Sequence, residues 1–143
     1  MTNISKRHPI GFTCGAFDLL HAGHLLMLKQ VAEMCDYVVV GLQSDPSIDR
    51  PHKSRPVESI EERLIRLEAC RYVDEIVEYE TEKQLYDYLR QHPEYVRFLG
   101  ADWQGKEFTG YDLPNQCIFT SRDHGFSSTS LRGRIDEKEK EML

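Results

Sequence analysis

The apolar positions of this 143-residue chain switch repeatedly between a short, strand-like rhythm and a helical one. "PIGFTCG" (9–15) is a brief apolar run that ends in a glycine turn and predicts a strand. After it, Leu25, Leu28, Val31, Ala32 and Cys35 recur at helical spacing and predict a helix over 22–35 with one apolar face. "YVVVGL" (37–42) is continuous and β-branched, the pattern of a strand covered on both faces. The next segment, "QSDPSIDRPHKSRPVESIEER" (43–63), is polar and punctuated by proline up to Ser59, where S-I-E-E forms a capping box with Glu62 reaching back. Ile60, Leu64, Leu67 and Arg71 carry that helix to about 72. "DEIVEY" (74–79) predicts a third strand, 82–92 a helix stopped before Pro93, "YVRFLG" (95–100) a fourth strand and "QCIFTS" (116–121) a fifth. A last helix opens at "FSSTSLRGRI" (126–135) with Ser127 or Ser128 as N-cap, and "DEKEKEML" (136–143) reads as a fraying, solvated end.

Strands that alternate with helices imply an α/β fold, here an open, doubly wound sheet of five parallel strands. No repeat, low-complexity linker or hinge interrupts the pattern, so the expectation is a single domain over 1–143 with its core in 9–135 and a charged tail over 136–143. Sheets of this kind bind ligands beyond the carboxyl ends of their strands. The four segments Gly15–His24, Gln43–Arg55, Gly100–Lys106 and Arg122–Thr129 are therefore expected to converge on one crevice.

Composition narrows the function without choosing it. Hydrophobic residues make up 40% and charged residues 29%, and no apolar stretch approaches the roughly 20 residues of a membrane span. The N-terminal "MTNISKRHPI" lacks the apolar core of a secretion signal, which predicts a cytoplasmic protein with no membrane partner. Cys14, Cys35, Cys70 and Cys117 form no CxxC or Cys/His cluster, so they read as small side chains in or beside apolar runs rather than as disulfides or a zinc site. A formal net charge of −6 disfavours nucleic acid as a partner. It still allows a small anion in a locally basic pocket.

The densest chemistry is in "GAFDLLHAGH" (15–24). Gly15 lets the chain turn sharply, and Asp18 is placed to cap the helix that follows. His21 and His24, three residues apart, point the same way at its start, and Gly23 opens space against the backbone. Free N–H groups and the positive end of the helix dipole already favour an anion there, and two imidazoles add donors. Phosphate fits that site; a metal pair or plain surface polarity fits the spacing too. There is no GxxxxGK[ST], GxGxxG or GxSxG in the chain.

Two segments together carry a family resemblance. "GAFDLLHAGH" resembles the G-x-F-D-x-x-H-x-G-H signature of the cytidylyltransferase-like nucleotidyltransferases, and "GFSSTSLR" (125–132) resembles their second signature, G-x-S-[ST]-T-x-[IL]. The resemblance covers residues 9–135 and implies a Rossmann-like sheet and a reaction in which an acceptor phosphate attacks the α-phosphorus of a nucleoside triphosphate. It implies His21, His24, Lys53 and Arg122 as catalytic residues. Nucleotide binding would involve Gly15, Ala16, Phe17, His21, His24, Asp102, Arg122, Gly125, Ser127, Ser128 and Thr129. Acceptor binding would fall to Asp18, Asp45, Lys53, Arg55, Arg63 and Arg71. Mg²⁺ would bridge the nucleotide phosphates with no dedicated protein ligands, and the small size of the chain suggests a homodimer, as in similar enzymes.

The branch within the family is read from finer detail. "RYVDEIV" (71–77) and "GADWQGK" (100–106) resemble the branch that uses CTP and glycerol 3-phosphate, giving CDP-glycerol and pyrophosphate. "HAGH" and "SRPVESIEER" resemble the adenylyltransferases of heptose phosphate. Ala22 stands where the glycerol-phosphate branch has tryptophan, and Ala16 where it commonly has threonine. Asp102 and Trp103, the only tryptophan, follow the fourth strand and favour CTP. A different alcohol, amine or sugar phosphate as acceptor, and a nucleotide-binding module without catalysis, are the alternatives.

Overall fold

The computed structural model of the chain describes residues 7–143; the first six residues, on which part of the reading of the N-terminal segment rests, lie outside the described residues. Five parallel strands, β1 (His8–Gly15), β2 (Cys35–Gln43), β3 (Glu75–Tyr79), β4 (Val96–Gly100) and β5 (Cys117–Thr120), form one sheet in the order β3-β2-β1-β4-β5. Four helices accompany them: α1 (Ala22–Met34), α2 (Ile60–Glu68), α3 (Glu82–Arg90) and α4 (Ser128–Glu141). The expected single α/β domain with a doubly wound, Rossmann-like sheet is what is observed. The chain winds outward from β1 through β2 and β3, then returns to pair β4 with the other edge of β1. That reversal opens a crevice above the carboxyl ends of β1 and β4.

Alternation along the strands sends side chains to two apolar layers. Val38, Val40 and Leu42 of β2 join Phe98 beneath α1 and α2, packing on Leu28, Val31 and Leu67. Val39 points the other way, to Phe12, Tyr79 and the Leu85 and Leu89 of α3. A parallel sheet needs this double cover, and it is why β2 reads as an unbroken apolar run.

Three boundaries differ from the pattern. Helix α2 stops at Glu68 rather than near 72, because the chain tightens into turns in which Cys70 N–H reaches Leu67 O at 3.0 Å and Val73 N–H reaches Cys70 O at 3.2 Å. Those turns deliver Asp74, whose carboxylate accepts from Val38 N–H at 2.8 Å and starts the β2–β3 ladder. Helix α3 ends at Arg90, and α4 continues through the charged segment to Glu141, with Lys140 paired to Asp136 at 3.2 Å. No described helix is long and apolar enough to cross a membrane.

Candidate active site

The turn after β1 is held in an unfavourable backbone shape. Phe17 has φ 51° and Leu19 φ 63°, both in the left-handed region that non-glycine residues adopt at a cost. The neighbouring 57–63 segment fixes this shape. Both oxygens of the buried Asp18 carboxylate are engaged, by Val57 N–H at 2.8 Å and Glu58 N–H at 3.0 Å, and Glu58 returns a bond to Leu19 N–H at 2.8 Å. Asp18 was expected to cap α1 and to bind the acceptor; it does not cap α1, and its carboxylate, on the crevice wall, anchors the turn across the chain.

The cap of α1 is His21. Its Nδ1 accepts from Gly23 N–H at 3.1 Å and His24 N–H at 3.4 Å, while His24 Nδ1 accepts from His21 N–H at 3.1 Å. The two histidines thus form a reciprocal capping box, a role usually taken by Ser and Glu. Most of the helix N–H groups expected to meet a ligand are therefore already in use. The box also settles the tautomer: with both Nδ1 atoms accepting, the proton of each neutral ring sits on Nε2. The rings stack with centroids 3.8 Å apart, so the two Nε2–H groups are presented side by side. Burial, then the neighbouring His21, pushes the pKa of His24 down to about 3. Burial, then His124 and Arg122, lowers that of His21. His24 is a neutral donor at pH 7.

Across the crevice mouth, Ser127 caps α4 by accepting from Ser130 N–H at 3.0 Å. Ser128 Oγ donates to Asp18 O at 3.4 Å and ties the far end of the chain to the turn after β1. Ser128, Thr129 and Arg132 line the crevice, with Gly125 leading into the helix. The histidine of this segment, His124, comes close to His21: a Cβ built on Gly23 would lie 2.9 Å from His21 Cε1 and 3.0 Å from His124 Cε1. Gly23 is required by that close approach. Arg122 pairs with Asp102 at 3.0 Å, joining the loops after β4 and β5. Trp103, 37% exposed, lines the crevice rather than the core.

All four expected segments reach one cavity of about 660 Å³, including Gly15, Ala16, Phe17, His24, Lys53 and Arg55. Besides Asp18, three of the residues expected to bind the acceptor are engaged within the chain. The guanidinium of Arg63, only 2% exposed, donates to four main-chain carbonyls: Glu58 at 3.1 Å, Ala16 at 3.0 Å, Gln43 at 2.6 Å and Ser44. It braces the turns after β1 and β2. Arg71 lies before β3, at the strand-start edge of the sheet away from the crevice, with its guanidinium 5.0 Å from the Tyr72 ring. Asp45 holds its own turn, accepting from Ser47 N–H at 2.9 Å and pairing with Arg55 at 3.5 Å.

In the inner half of the cavity, on the α3 side, Gln43 and Arg50 of the expected 43–55 segment meet Tyr79, Glu82, Arg97 and Thr109, which the sequence reading missed. Glu82 Oε2 accepts from Gln43 Nε2 at 2.9 Å and faces Arg50 at 3.6 Å, while Thr109 Oγ1 donates to Glu82 Oε1 at 2.7 Å. A weak signal was available: Arg97 is the one charged residue in the apolar run of β4. Among the described residues no three of His, Cys, Asp or Glu gather as a metal centre.

With this geometry in hand, the comparisons with known proteins can be placed. A family model described as cytidylyltransferase-like matches residues 12–134. The glycerol-3-phosphate cytidylyltransferase of Bacillus subtilis is 33% identical over 126 residues, covering 86% of this chain and 94% of that protein. The bifunctional protein HldE of Campylobacter concisus is 34% identical over 132 residues, and that of Wolinella succinogenes 38%. Each covers 92% of this chain, which spans only 28% of the HldE length. The fold is shared with the lipopolysaccharide core biosynthesis protein from Thermoplasma volcanium, with a TM-score of 0.57, 20% identity, and coverage of 92% of this chain and 88% of that one.

Proposed function

The chain belongs to the cytidylyltransferase-like family, and from that premise we propose that it transfers CMP from CTP to a small phosphate-bearing acceptor, glycerol 3-phosphate first among them. An oxygen of the acceptor phosphate attacks the α-phosphorus of CTP, the bond from that phosphorus to the β-bridging oxygen breaks, and pyrophosphate leaves. The attacking oxygen is already ionised, so no general base is needed. The protein's task is to position two phosphates and stabilise the charge that grows between them.

The observation that carries this reading is the pair of stacked, neutral imidazoles whose Nδ1 atoms are fixed by the capping box and whose Nε2–H groups remain for an anion. His21 and His24 donate to the α-phosphate oxygens, the start of α4 with Ser128 and Thr129 holds the outer phosphates, and Lys53 from the loop after β2 closes on them. Lys53 has no carboxylate within 4.0 Å among the described residues, so its charge is available. Arg122 and Asp102, paired at 3.0 Å, together with Trp103 on the crevice wall, receive the base. Among the described residues no cluster of acids or histidines forms a cage for Mg²⁺; brought in on the triphosphate, the ion would neutralise phosphate charge. Pairing as a homodimer belongs to the same proposal, and sedimentation velocity tests it.

A second reading, adenylyl transfer to a sugar phosphate, is favoured by Ala22 between the histidines and by the "SRPVESIEER" segment. Pyrophosphate release with CTP and ATP, each against glycerol 3-phosphate, phosphocholine, phosphoethanolamine and heptose 1-phosphate, separates the two. Release with CTP supports the first reading, and release with ATP alone supports the second. No release with any pair marks a binding module without catalysis.

A further inference from the structure

The α3 side of the cavity holds more hydrogen-bond donors than it can satisfy. Arg97, 3% exposed, projects from β4 toward α3 and lines the cavity. Its Nη1 donates to Thr109 O at 2.6 Å and its guanidinium carbon lies 5.2 Å from the Phe108 ring. No carboxylate oxygen lies within 4.0 Å of it among the described residues. Of the acids that line the cavity on this side, Glu82 is already matched by Arg50, Gln43 and Thr109, and Glu107 makes no ion pair with Arg97 within 4.0 Å. The Cys14 thiol beside Arg97 is raised by burial and stays neutral. In the same chamber Arg50 Nε is buried with no hydrogen-bond partner among the described residues.

A buried guanidinium without a counter-ion is costly, and so is a buried N–H without an acceptor. A single ligand group relieves both if it only accepts hydrogen bonds and carries negative charge. Resting on the nucleotidyltransferase reading above, we propose that this chamber is the acceptor site and that Arg97, with Arg50, anchors an oxyanion of the acceptor. Two sources share that chemistry: the reacting phosphate itself, or a second anionic group at the far end of the acceptor. The chamber selects against neutral or cationic acceptors. Its walls add Tyr79 and the apolar Leu85.

The test is calorimetric binding of glycerol 3-phosphate, 3-phosphoglycerate and glycerol to the wild-type protein and to Arg97→Gln and Arg97→Lys, with CTP titrated as a control and thermal unfolding recorded for each. Wild-type protein is expected to bind both phosphate esters and not glycerol. Arg97→Gln is expected to weaken ester binding at least tenfold, with CTP binding unchanged and the unfolding midpoint no lower than wild type; Arg97→Lys recovers part of the loss. Equal losses for the two esters place the reacting phosphate at Arg97, and a loss confined to 3-phosphoglycerate places a second anion there. Ester binding that is absent in the wild type, or unchanged in Arg97→Gln, overturns the proposal. So does an Arg97→Gln protein that loses stability while keeping its ester affinity. Because binding is read without turnover, a protein that binds the esters through Arg97 but releases no pyrophosphate contradicts the nucleotidyltransferase reading and not this one.

Discussion

On the α1 side of the crevice, the side chains aimed at a ligand come from one stretch of chain, residues 15–24, and are oriented by bonds within that stretch. On the α3 side they come from Gln43, Arg50, Glu82, Arg97 and Thr109, brought together by the sheet from three strand-and-loop units. The first side is rigid: His21 and His24 cap each other within the stretch, and Asp18 and Arg63 lock the turn beneath them to the 57–63 segment. The second depends on a network around Glu82 that leaves Arg50 Nε without a partner and Arg97 without a counter-ion. Local architecture suits the step common to the reaction, which requires fixed donors at one phosphorus. A composite chamber suits the part of the substrate that varies, because each wall can change without disturbing the turn.

Four substitutions or conditions bear on that contrast. The largest effect on folding is expected from Arg63→Met, which would leave four carbonyls around the turn unpaired and lower stability by about 3–5 kcal/mol. Urea unfolding measures it. A variant of wild-type stability that has lost acceptor affinity would return Arg63 to the ligand site and remove the brace from the account.

His24→Ala is expected to lower kcat about 100-fold, a loss typical of one removed transition-state donor. KM for CTP should change less than kcat, and circular dichroism should confirm an intact fold. A drop of only a few-fold would mean the pair serves the helix and not the phosphate.

Acid should act on the same pair. The folded-state pKa of His24 is about 3, below its ordinary value, so the unfolded chain binds a proton that the folded one refuses. Stability from this source is fully present above about pH 6.5 and falls as pH drops from there toward 3. The denaturation midpoint is expected to decline between pH 7 and pH 5, and His24→Asn should flatten that decline. A slope identical in the two proteins would show that His24 does not resist protonation.

The smallest effect is expected from Ser59→Ala, which removes the bond to Glu62 N–H at 3.2 Å and should cost about 1 kcal/mol. It lies outside the crevice, so kcat and KM should match wild type.

How much of this was legible in the sequence follows the same division. The five strands, the Ser59 capping box and the convergence of four loops could be read because each is written in neighbouring residues. The histidine pair could be read as a site, but not as its own capping box, because histidine seldom fills that role and the ring orientation depends on hydrogen bonds. Asp18 and Arg63 were assigned to the acceptor by the family resemblance, and no local pattern reveals the long-range N–H and carbonyl partners that engage them. Arg71 was carried by a helical periodicity that the chain abandons after Glu68 to start β3. The Glu82–Arg97 chamber shows one weak local sign, the lone arginine in the apolar run of β4; only the strand order places α3 beside β4.

The most direct test of the central claim is where the phosphate chain of the nucleotide breaks. With CTP labelled at the α-phosphate and glycerol 3-phosphate as acceptor, the account predicts that the label moves into a CDP-linked product while unlabelled pyrophosphate is released. Label recovered only in CMP or CDP, with no acceptor-linked product for any phosphate ester, would contradict it.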